Sequence, residues 1–461
     1  MNEFINRKKE LKLLDNLYVH EGSDLAIIYG RRRLGKTALL KTFALNRDHC
    51  YFMASLAGEK LQINALGNAL AATLHEPLFE EIDFNNWDEL FGLFDRIVPA
   101  DKKFIFIIDE FQYLCKVQPA FSSIIQKWWD EKWSRSNILL ILCGSITSMM
   151  YKETLATSAP LYGRSSLQLL LAPIKYQYLP EFIPHITETQ SLVEFYAICG
   201  GTPRYIELLQ SYKNYKKALA ELVLDRNSIL YNEAKYILHE EINSPNVCWS
   251  ILHAIGNGKT KISELGQKLS LPANQLTRYL DLLKDLFLIY REVPILEKNP
   301  LKSKKGIYLI SEPFIRLWFS CIYPYESFLE FDEKELIIDK LQLLIDQHIA
   351  YCFEDLCRHY VKYKMLNYDC LKIGRQWGSH YEIDIAGVNS ENQLTLLGEC
   401  KWSKKKIGLS VLLDLQKKVI DNKLPVANNC KYLFFSKAGF SDDLITLSNK
   451  KEEIILINSL L

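Results

Sequence analysis

At 461 residues, 48% hydrophobic and 24% charged, the chain has the composition of a globular protein of about three domains. Disorder, a collagen-like repeat and a disulfide scaffold are excluded as descriptions of the whole chain. Lys plus Arg number 56 and Asp plus Glu 55, a formal net charge of +1, so contact with nucleic acid requires a local basic face rather than overall charge.

No apolar run approaches the ~18 residues of a membrane-spanning helix. The longest, Phe104–Ile108 and Ile138–Cys143, are strand-sized. The N-terminal stretch MNEFINRKKELKLL has basic residues but no apolar core or small-residue cleavage site, unlike a secretory signal. The 11 cysteines are scattered and form no Cys-x-x-Cys; Cys352 and Cys357, the nearest pair, lack a second ligand pair for zinc. Reduced, mostly buried thiols in a cytoplasmic protein are the expectation, with no membrane partner.

Leu25–Tyr29 reads as a buried parallel strand that runs into Gly30-Arg31-Arg32-Arg33-Leu34-Gly35-Lys36-Thr37, with a helical pattern from about Thr37 to Phe43. Strand, G-x-x-x-x-G-K-T, helix is the context of a phosphate-binding loop. Glycines let backbone N–H groups converge on phosphate oxygens, and the helix N-terminus adds partial positive charge. The cofactor-binding set is therefore Gly30 through Thr37 with Ala38. Lys36 reaches the β- and γ-phosphates and the Thr37 hydroxyl ligates Mg²⁺. Arg31, Arg32 and Arg33 admit contacts with phosphates, with nucleic acid or with acids of another domain. Phe104–Glu110 (FIFIIDE) is a second buried strand, ending in two acids. Asp109 is assigned to the Mg²⁺ shell and Glu110 to activation of the attacking water. Ile138–Cys143, a third apolar run, ends in Gly144-Ser145, where Ser145 is either a γ-phosphate sensor or a simple turn serine.

FINRKKELKLL, IIYGRRRLGKT, FIIDEFQYL, ILCGSITSMM, PLYGR (Pro160–Arg164) and GGTPRY (Gly200–Tyr205) occur in this order. Together they resemble the prokaryotic archaeal-type ATPases of the extended AAA/STAND group of P-loop NTPases, over roughly residues 2–240. The resemblance implies ATP hydrolysis and a nucleotide-driven switch. It also implies Arg7 near the base of the site, Arg164 as a phosphate-sensing arginine, and Gly201-Thr202-Pro203 in a helical lid. Amphipathic segments from about Gln190 to Glu241 fit such a lid.

From Pro245, VCWSILHAI, KISELGQKL and Ala273–Leu288 read as three helices. Ile289–Val293 and Gly306–Ile310 make a hairpin around Lys298, Lys302, Lys304 and Lys305. This is the winged helix-turn-helix pattern, in which Asn274, Gln275, Thr277 and Arg278 face outward and the lysines meet phosphates. The module admits DNA contact or protein contact. Ser311–Pro324 is apolar and is expected to pack between modules.

A helical pattern from about Glu333 to Tyr363 precedes three strands, Leu371–Trp377, Tyr381–Val388 and Gln393–Trp402, with Asn389–Asn392 as a hairpin loop. Helix Ser410–Val419 and strand Tyr432–Ser436 follow. Alternation puts Glu382 with Asp384, and Glu399 with Lys401, on shared faces. Cross-strand register can bring Asp384 beside Glu399, where two carboxylates suit a divalent cation and Lys401 can stabilise developing charge. Asp384, Glu399-Cys400-Lys401 and Glu354 on the preceding helix resemble the PD-(D/E)xK nuclease superfamily over roughly 341–440, with Ile383 in place of proline. His380 reads as a turn residue or an assistant to that site. Lys404-Lys405-Lys406 reads as solvated surface or a phosphate contact.

The fold expected is α/β: a P-loop ATPase core (1–180), helical lid (181–244), winged helix-turn-helix (245–311), linker helices (312–340) and restriction-endonuclease-like domain (341–461). The expected activity is a Mg²⁺-dependent ATPase switch acting on DNA, with catalytic residues Lys36, Glu110, Arg164, Glu354, Asp384, Glu399 and Lys401. Metal ligands are Thr37, Asp109, Asp384 and Glu399; cofactors are ATP and Mg²⁺. Partners are ATP, DNA and a second copy or another protein. The alternatives are a nucleotide-switched binding module with an inert nuclease-like domain, and a signalling ATPase that oligomerises around a protein partner.

Overall fold

The computed structural model describes residues 4–145, 147–242, 245–330, 334–364 and 369–460. Residue 2, Ile146 of the Gly144–Met150 motif, the boundary at 244, the helix start at Glu333 and the terminal residue 461 lie outside them. The chain forms two compact units, Met1–Ile174 with Thr202–Arg204, and Lys175–Gly201 with Tyr205–Leu461. The first unit ends at Ile174 rather than 180. Lid, three-helix module, linker and C-terminal domain, expected as four bodies, fall in one unit. Part of the reason is a single helix, Lys334–Lys364, which runs across the expected boundary at 340.

The first unit is built on an all-parallel sheet of β1 (Asp24–Tyr29), β2 (His49–Met53), β3 (Phe104–Asp109), β4 (Ile138–Gly144) and β5 (Leu167–Leu170), in the order β2-β3-β4-β1-β5. Side chains alternate along each strand, so a strand covered on both faces must be apolar at every position. Leu25, Ile27, Phe106, Ile108, Leu140 and Leu142 enter one core, with the aromatic cluster Trp87, Phe91, Phe94 and Trp133. Ala26, Ile28, Ile107, Leu139 and Ile141 enter the other, against Leu39, Leu40 and Phe43 of the helix Lys36–Ala44. That double burial explains the continuous apolar runs of the sequence. Strands β2 and β5 are short and mixed in character, and carry no such run.

In the second unit the helices Asn246–Gly256, Ile262–Leu269 and Ala273–Asp285 precede an antiparallel hairpin of β6 (Ile289–Glu292) and β7 (Ile307–Ile310). Leu276, Leu280 and Leu283 bury one face of the third helix, while Asn274, Gln275, Thr277 and Arg278 are exposed. Lys298, Lys302, Lys304 and Lys305 are exposed on the hairpin loop, which Arg291 braces by donating to the carbonyls of Pro300 (2.8 Å) and Ser303 (2.5 Å). The apolar stretch Ser311–Pro324 packs inside the unit, with Phe314, Trp318, Phe319 and Ile322 buried.

The C-terminal sheet has β8 (Lys372–Trp377), β9 (Glu382–Val388), β10 (Leu394–Lys401), β11 (Val426–Ser436) and β12 (Ile454–Ile457), in the order β12-β11-β10-β9-β8. The β8–β9 and β9–β10 pairs are antiparallel; β10–β11 and β11–β12 are parallel. One face packs on the helix Leu409–Asp421 through Leu412 and Leu415. On the other, Tyr360 of the long helix meets Phe435 at 5.9 Å between centroids. The helix Asp442–Ser448 and β12 extend the expected helix–three strands–helix–strand order. The segment after β6 docks on the edge of this sheet: Ile295 N–H donates to the Arg375 carbonyl at 2.9 Å, and Leu296 N–H to Gln376 Oε1 at 3.2 Å.

Candidate functional site

The loop between β1 and the helix Lys36–Ala44 uses backbone conformations that most side chains avoid. Gly30 has φ 145°, and a Cβ there would stand 2.7 Å from the Leu171 carbonyl oxygen; Gly35 has φ 86° and the intervening Arg33 has φ 67°. Lys36, 6% exposed, donates from Nζ to the carbonyls of Gly30 (2.7 Å) and Arg31 (2.9 Å). Arg31 and Leu34 are buried, and Ala38 is exposed on the first helical turn. Arg7, whose burial lowers its pKa, donates to the carbonyls of Leu34 (3.2 Å) and Ala172 (2.6 Å). It clamps the loop to the end of β5, the position at the base of the site that the resemblance implied.

Asp109 and Glu110 end β3, and β4 lies between β3 and β1. Asp109, 1% exposed, accepts at Oδ2 from the Thr37 hydroxyl (2.8 Å) and from the Tyr51 hydroxyl of β2, and at Oδ1 from Glu110 N–H (2.9 Å). Burial and the neighbouring carboxylate push the Tyr51 hydroxyl up, so it stays a donor. Glu110 turns out of the strand with φ 56° and accepts at Oε2 from Ser145 Oγ (2.8 Å) and Gln112 Nε2. Arg32 contacts Ser145 Oγ at 3.4 Å and donates to the Tyr113 hydroxyl. The expected residues Arg32, Thr37, Asp109, Glu110 and Ser145 thus form one connected constellation, beside which Lys36 holds the carbonyls of its own loop.

Two placements differ from expectation. Arg164 makes a bidentate pair with Asp130 (2.7 and 2.8 Å), which raises its pKa, and its other hydrogen bonds go to Pro160 and Tyr162 carbonyls. None of these reaches the loop. Thr202–Arg204 group with the loop's unit, although Pro203 and Arg204 begin the helix Pro203–Leu209, and a side chain on Gly35 would meet Pro203 Cγ at 4.0 Å. Tyr51, Gln112 and Tyr113 were missed in the sequence. The β2 position of Tyr51, facing the end of β3, was legible only once the strand order was known.

In the second unit Ile385 pairs with Gly398, which makes Asp384 and Glu399 the next cross-strand neighbours. Asp384 Oδ2 accepts from Cys400 N–H at 2.9 Å. Burial first, then the charges of Glu399 and Glu354, push the Asp384 carboxyl up to about 7. Burial likewise raises Glu354. Lys401 is pulled down by burial, but Glu399 and Asp384 outweigh that and leave it above its ordinary value. Glu399, 3% exposed, accepts from Lys401 Nζ at 3.0 Å and from Lys418 Nζ at 2.5 Å. Glu399, Lys401, Lys418 and the exposed His380 line an open cavity of about 470 Å³; Asp384 and Glu354 are not in its walls. Among the described residues no three His, Cys, Asp or Glu side chains stand together as a metal site. Lys418 was missed: spacing along the helix Leu409–Asp421 does not separate it from Lys417, which lines the same cavity. All 11 cysteines are free, and ten of them are buried. No helix among the described residues is long and apolar enough to cross a membrane.

Residues 4–209 match a family described as an ATPase domain predominantly from Archaea. Residues 318–412 match one described as Archaea bacterial proteins of unknown function. The uncharacterized protein MJECL04 of Methanocaldococcus jannaschii is 32% identical over 409 residues, 87% of this chain and 88% of that one. The uncharacterized ATP-binding protein MJ0423 of the same organism is 48% identical over 44 residues, 10% of this chain and 75% of that one. Among solved structures, the Walker-type ATPase PabY2304 of Pyrococcus abyssi superposes with a TM-score of 0.52 at 19% identity, over 68% of this chain and 96% of that one. With MJECL04 matched along most of its length, the chain belongs to that protein's family, and its parallel sheet and phosphate loop form an archaeal-type ATPase domain over residues 4–209, a nucleotide-binding enzyme that hydrolyses ATP.

Proposed function

We propose that the protein is a Mg²⁺-dependent ATPase switch that acts on DNA. The observation that carries the ATPase assignment to residues is the joined pair of contacts, Thr37 to Asp109 and Ser145 to Glu110, at the mouth of one loop. In this reading Lys36 exchanges its loop carbonyls for β- and γ-phosphate oxygens. Gly30–Ala38 cradle the nucleotide, and Ser145, with Arg32 beside it, orients Glu110 as the base for water. Thr37 and Asp109, an oxygen-only pair, fit Mg²⁺, which when bound neutralises phosphate charge. Arg164 as a phosphate sensor would require release from Asp130.

Action on DNA is supported by the exposed Asn274, Gln275, Thr277 and Arg278 and the lysine-rich hairpin loop, which suit a winged helix with its wing on phosphates. The C-terminal topology suits a restriction-endonuclease-like fold, with Glu354, Asp384, Glu399 and Lys401 coupled in one cluster. Asp384 and Glu399 would be the cation ligands and Lys401 the stabiliser of charge. A second reading, an inert nuclease-like domain that only binds, is favoured by one observation: both Glu399 oxygens are already in ion pairs with lysines. Plasmid, linear and single-stranded DNA incubated with wild type and Asp384→Ala, in Mg²⁺ or Mn²⁺ with and without ATP, separates the two. Cleavage by wild type alone supports the nuclease. DNA binding that falls in Lys302→Ala/Lys304→Ala, without cleavage, supports the binding module. Neither binding nor cutting overturns action on DNA.

A further inference from the structure

In the second unit a cavity of about 540 Å³ opens where several parts of the fold meet. Its walls come from the end of the helix Asn246–Gly256, strand β7, the segment carrying Arg316 and Ser320, the long helix around His348, and Arg375 and Glu382 of the C-terminal sheet. Asp384, Glu399 and Lys401 are not part of it.

Two arginines face this space, and they are partnered differently. Arg375 is answered by Glu292, with Nε to Oε2 at 3.0 Å, and by Glu382 at 3.4 Å. Arg316 donates to His348 Nδ1 at 2.8 Å and lies over the Tyr351 ring, 3.8 Å from its centroid. These are a neutral ring nitrogen and a π face, and no described carboxylate pairs with Arg316. The donor role of His348 is already taken, because its Nε2–H donates to the Ala197 carbonyl at 2.8 Å, which leaves Nδ1 as an acceptor. Burial, and then the Arg316 charge, hold the His348 pKa down to about 3, so the ring stays neutral beneath the guanidinium.

The guanidinium is thus fixed in orientation while its charge is left uncancelled. A cation held partly out of water is stabilised by an anion, and the planar fork of arginine matches phosphate oxygens two at a time. The volume lies in the range of small-molecule sites. Ile307 and Leu309 supply an apolar wall, and Gln347, Asn257 and Glu382 supply polar groups for the remainder of a ligand. We propose that this cavity binds a phosphorylated small molecule of nucleotide size, with its phosphate on Arg316.

The test uses the full chain carrying Lys36→Ala, so that the phosphate loop of the first unit does not hold the probe. Equilibrium dialysis measures AMP, GMP, CMP, UMP and inorganic phosphate. At least one nucleotide is expected to bind saturably, ten-fold or more tighter than inorganic phosphate. Arg316→Gln added to Lys36→Ala is expected to weaken that nucleotide at least ten-fold, and Arg316→Lys, which keeps the charge but loses the fork, about five-fold. Saturable binding by none of the four overturns the proposal. So does undiminished binding in Arg316→Gln, and affinity equal to that of inorganic phosphate overturns the nucleotide-sized ligand. Should Arg316→Gln lose its cooperative melting transition, Gln347→Ala, an exposed position, takes its place. A three-fold weakening there supports the site, and no change in both Gln347→Ala and Arg316→Lys refutes it.

Discussion

Two pairs of acids sit on the sheets of this protein, Asp109 and Glu110 at the end of β3 and Asp384 and Glu399 across β9 and β10, and their partners are of opposite kinds. Asp109 and Glu110 are held by neutral donors: the hydroxyls of Thr37, Tyr51 and Ser145 and the amide of Gln112. Glu399 is held by two ammonium groups, Lys401 and Lys418, and Asp384 by a single backbone N–H. A neutral donor orients a carboxylate and leaves its charge to act on a cation or a proton. An ammonium group orients it and cancels the charge. The first pair is poised for electrostatic work, whereas the second has to be uncovered before it can do any.

Substitutions can break or sharpen this contrast. The largest effect is expected from Lys36→Ala, which removes the cation of the phosphate loop; ATP hydrolysis, followed by phosphate release, should fall at least about 100-fold. Retained turnover would move the site elsewhere. Glu110→Gln keeps the shape and the Ser145 contact but removes the base, so kcat should drop on the order of 100-fold while ATP still binds.

Asp384 carries a pH signature. Its carboxyl titrates at about 7 in the folded chain against about 4 in an unfolded one. The folded state therefore holds the extra proton between those values, and this stabilisation is full below about pH 4 and lost as pH rises through about 7. Asp384→Asn should match wild type in acid and exceed it in stability at pH 8, by at most about 4 kcal/mol, in urea unfolding. Equal curves at both pH values would show the carboxyl to be unburdened. Lys418→Met leaves Glu399 with one lysine and should cost about 1–3 kcal/mol. If the second acid pair is capped by lysine, the same variant should take up Mn²⁺ more tightly than wild type in a calorimetric titration. Smallest is Tyr51→Phe: Asp109 keeps its Thr37 contact, and kcat should fall about three-fold, the loss of a ~0.7 kcal/mol hydrogen bond.

The two sites were also unequally legible. Gly30, Lys36, Thr37 and Asp109 lie in contiguous motifs flanked by strands buried on both faces, so local pattern and tertiary position coincide. Tyr51 and Lys418 reach their sites only through strand order and helix packing, which no local spacing contains. Strand β12 (IILI) was missed as well, because an apolar run of four has no period to read. Contacts far apart in sequence, such as His348 to Ala197, join helices that look separate along the chain, and local pattern does not show them.

The docking of residues 294–296 on β8 reaches beyond any site. A sheet's outermost strand presents unpaired N–H and C=O groups that can recruit a strand from another chain. Here Ile295 takes the Arg375 carbonyl, and Asn392 reaches back to the Leu296 carbonyl at 3.4 Å. The hairpin loop is thus a guard against self-association as well as a basic surface. A C-terminal fragment cut free at residue 312 would expose this border and precipitate or form β-rich aggregates, while one that begins at Lys175 and keeps the whole second unit would stay dispersed.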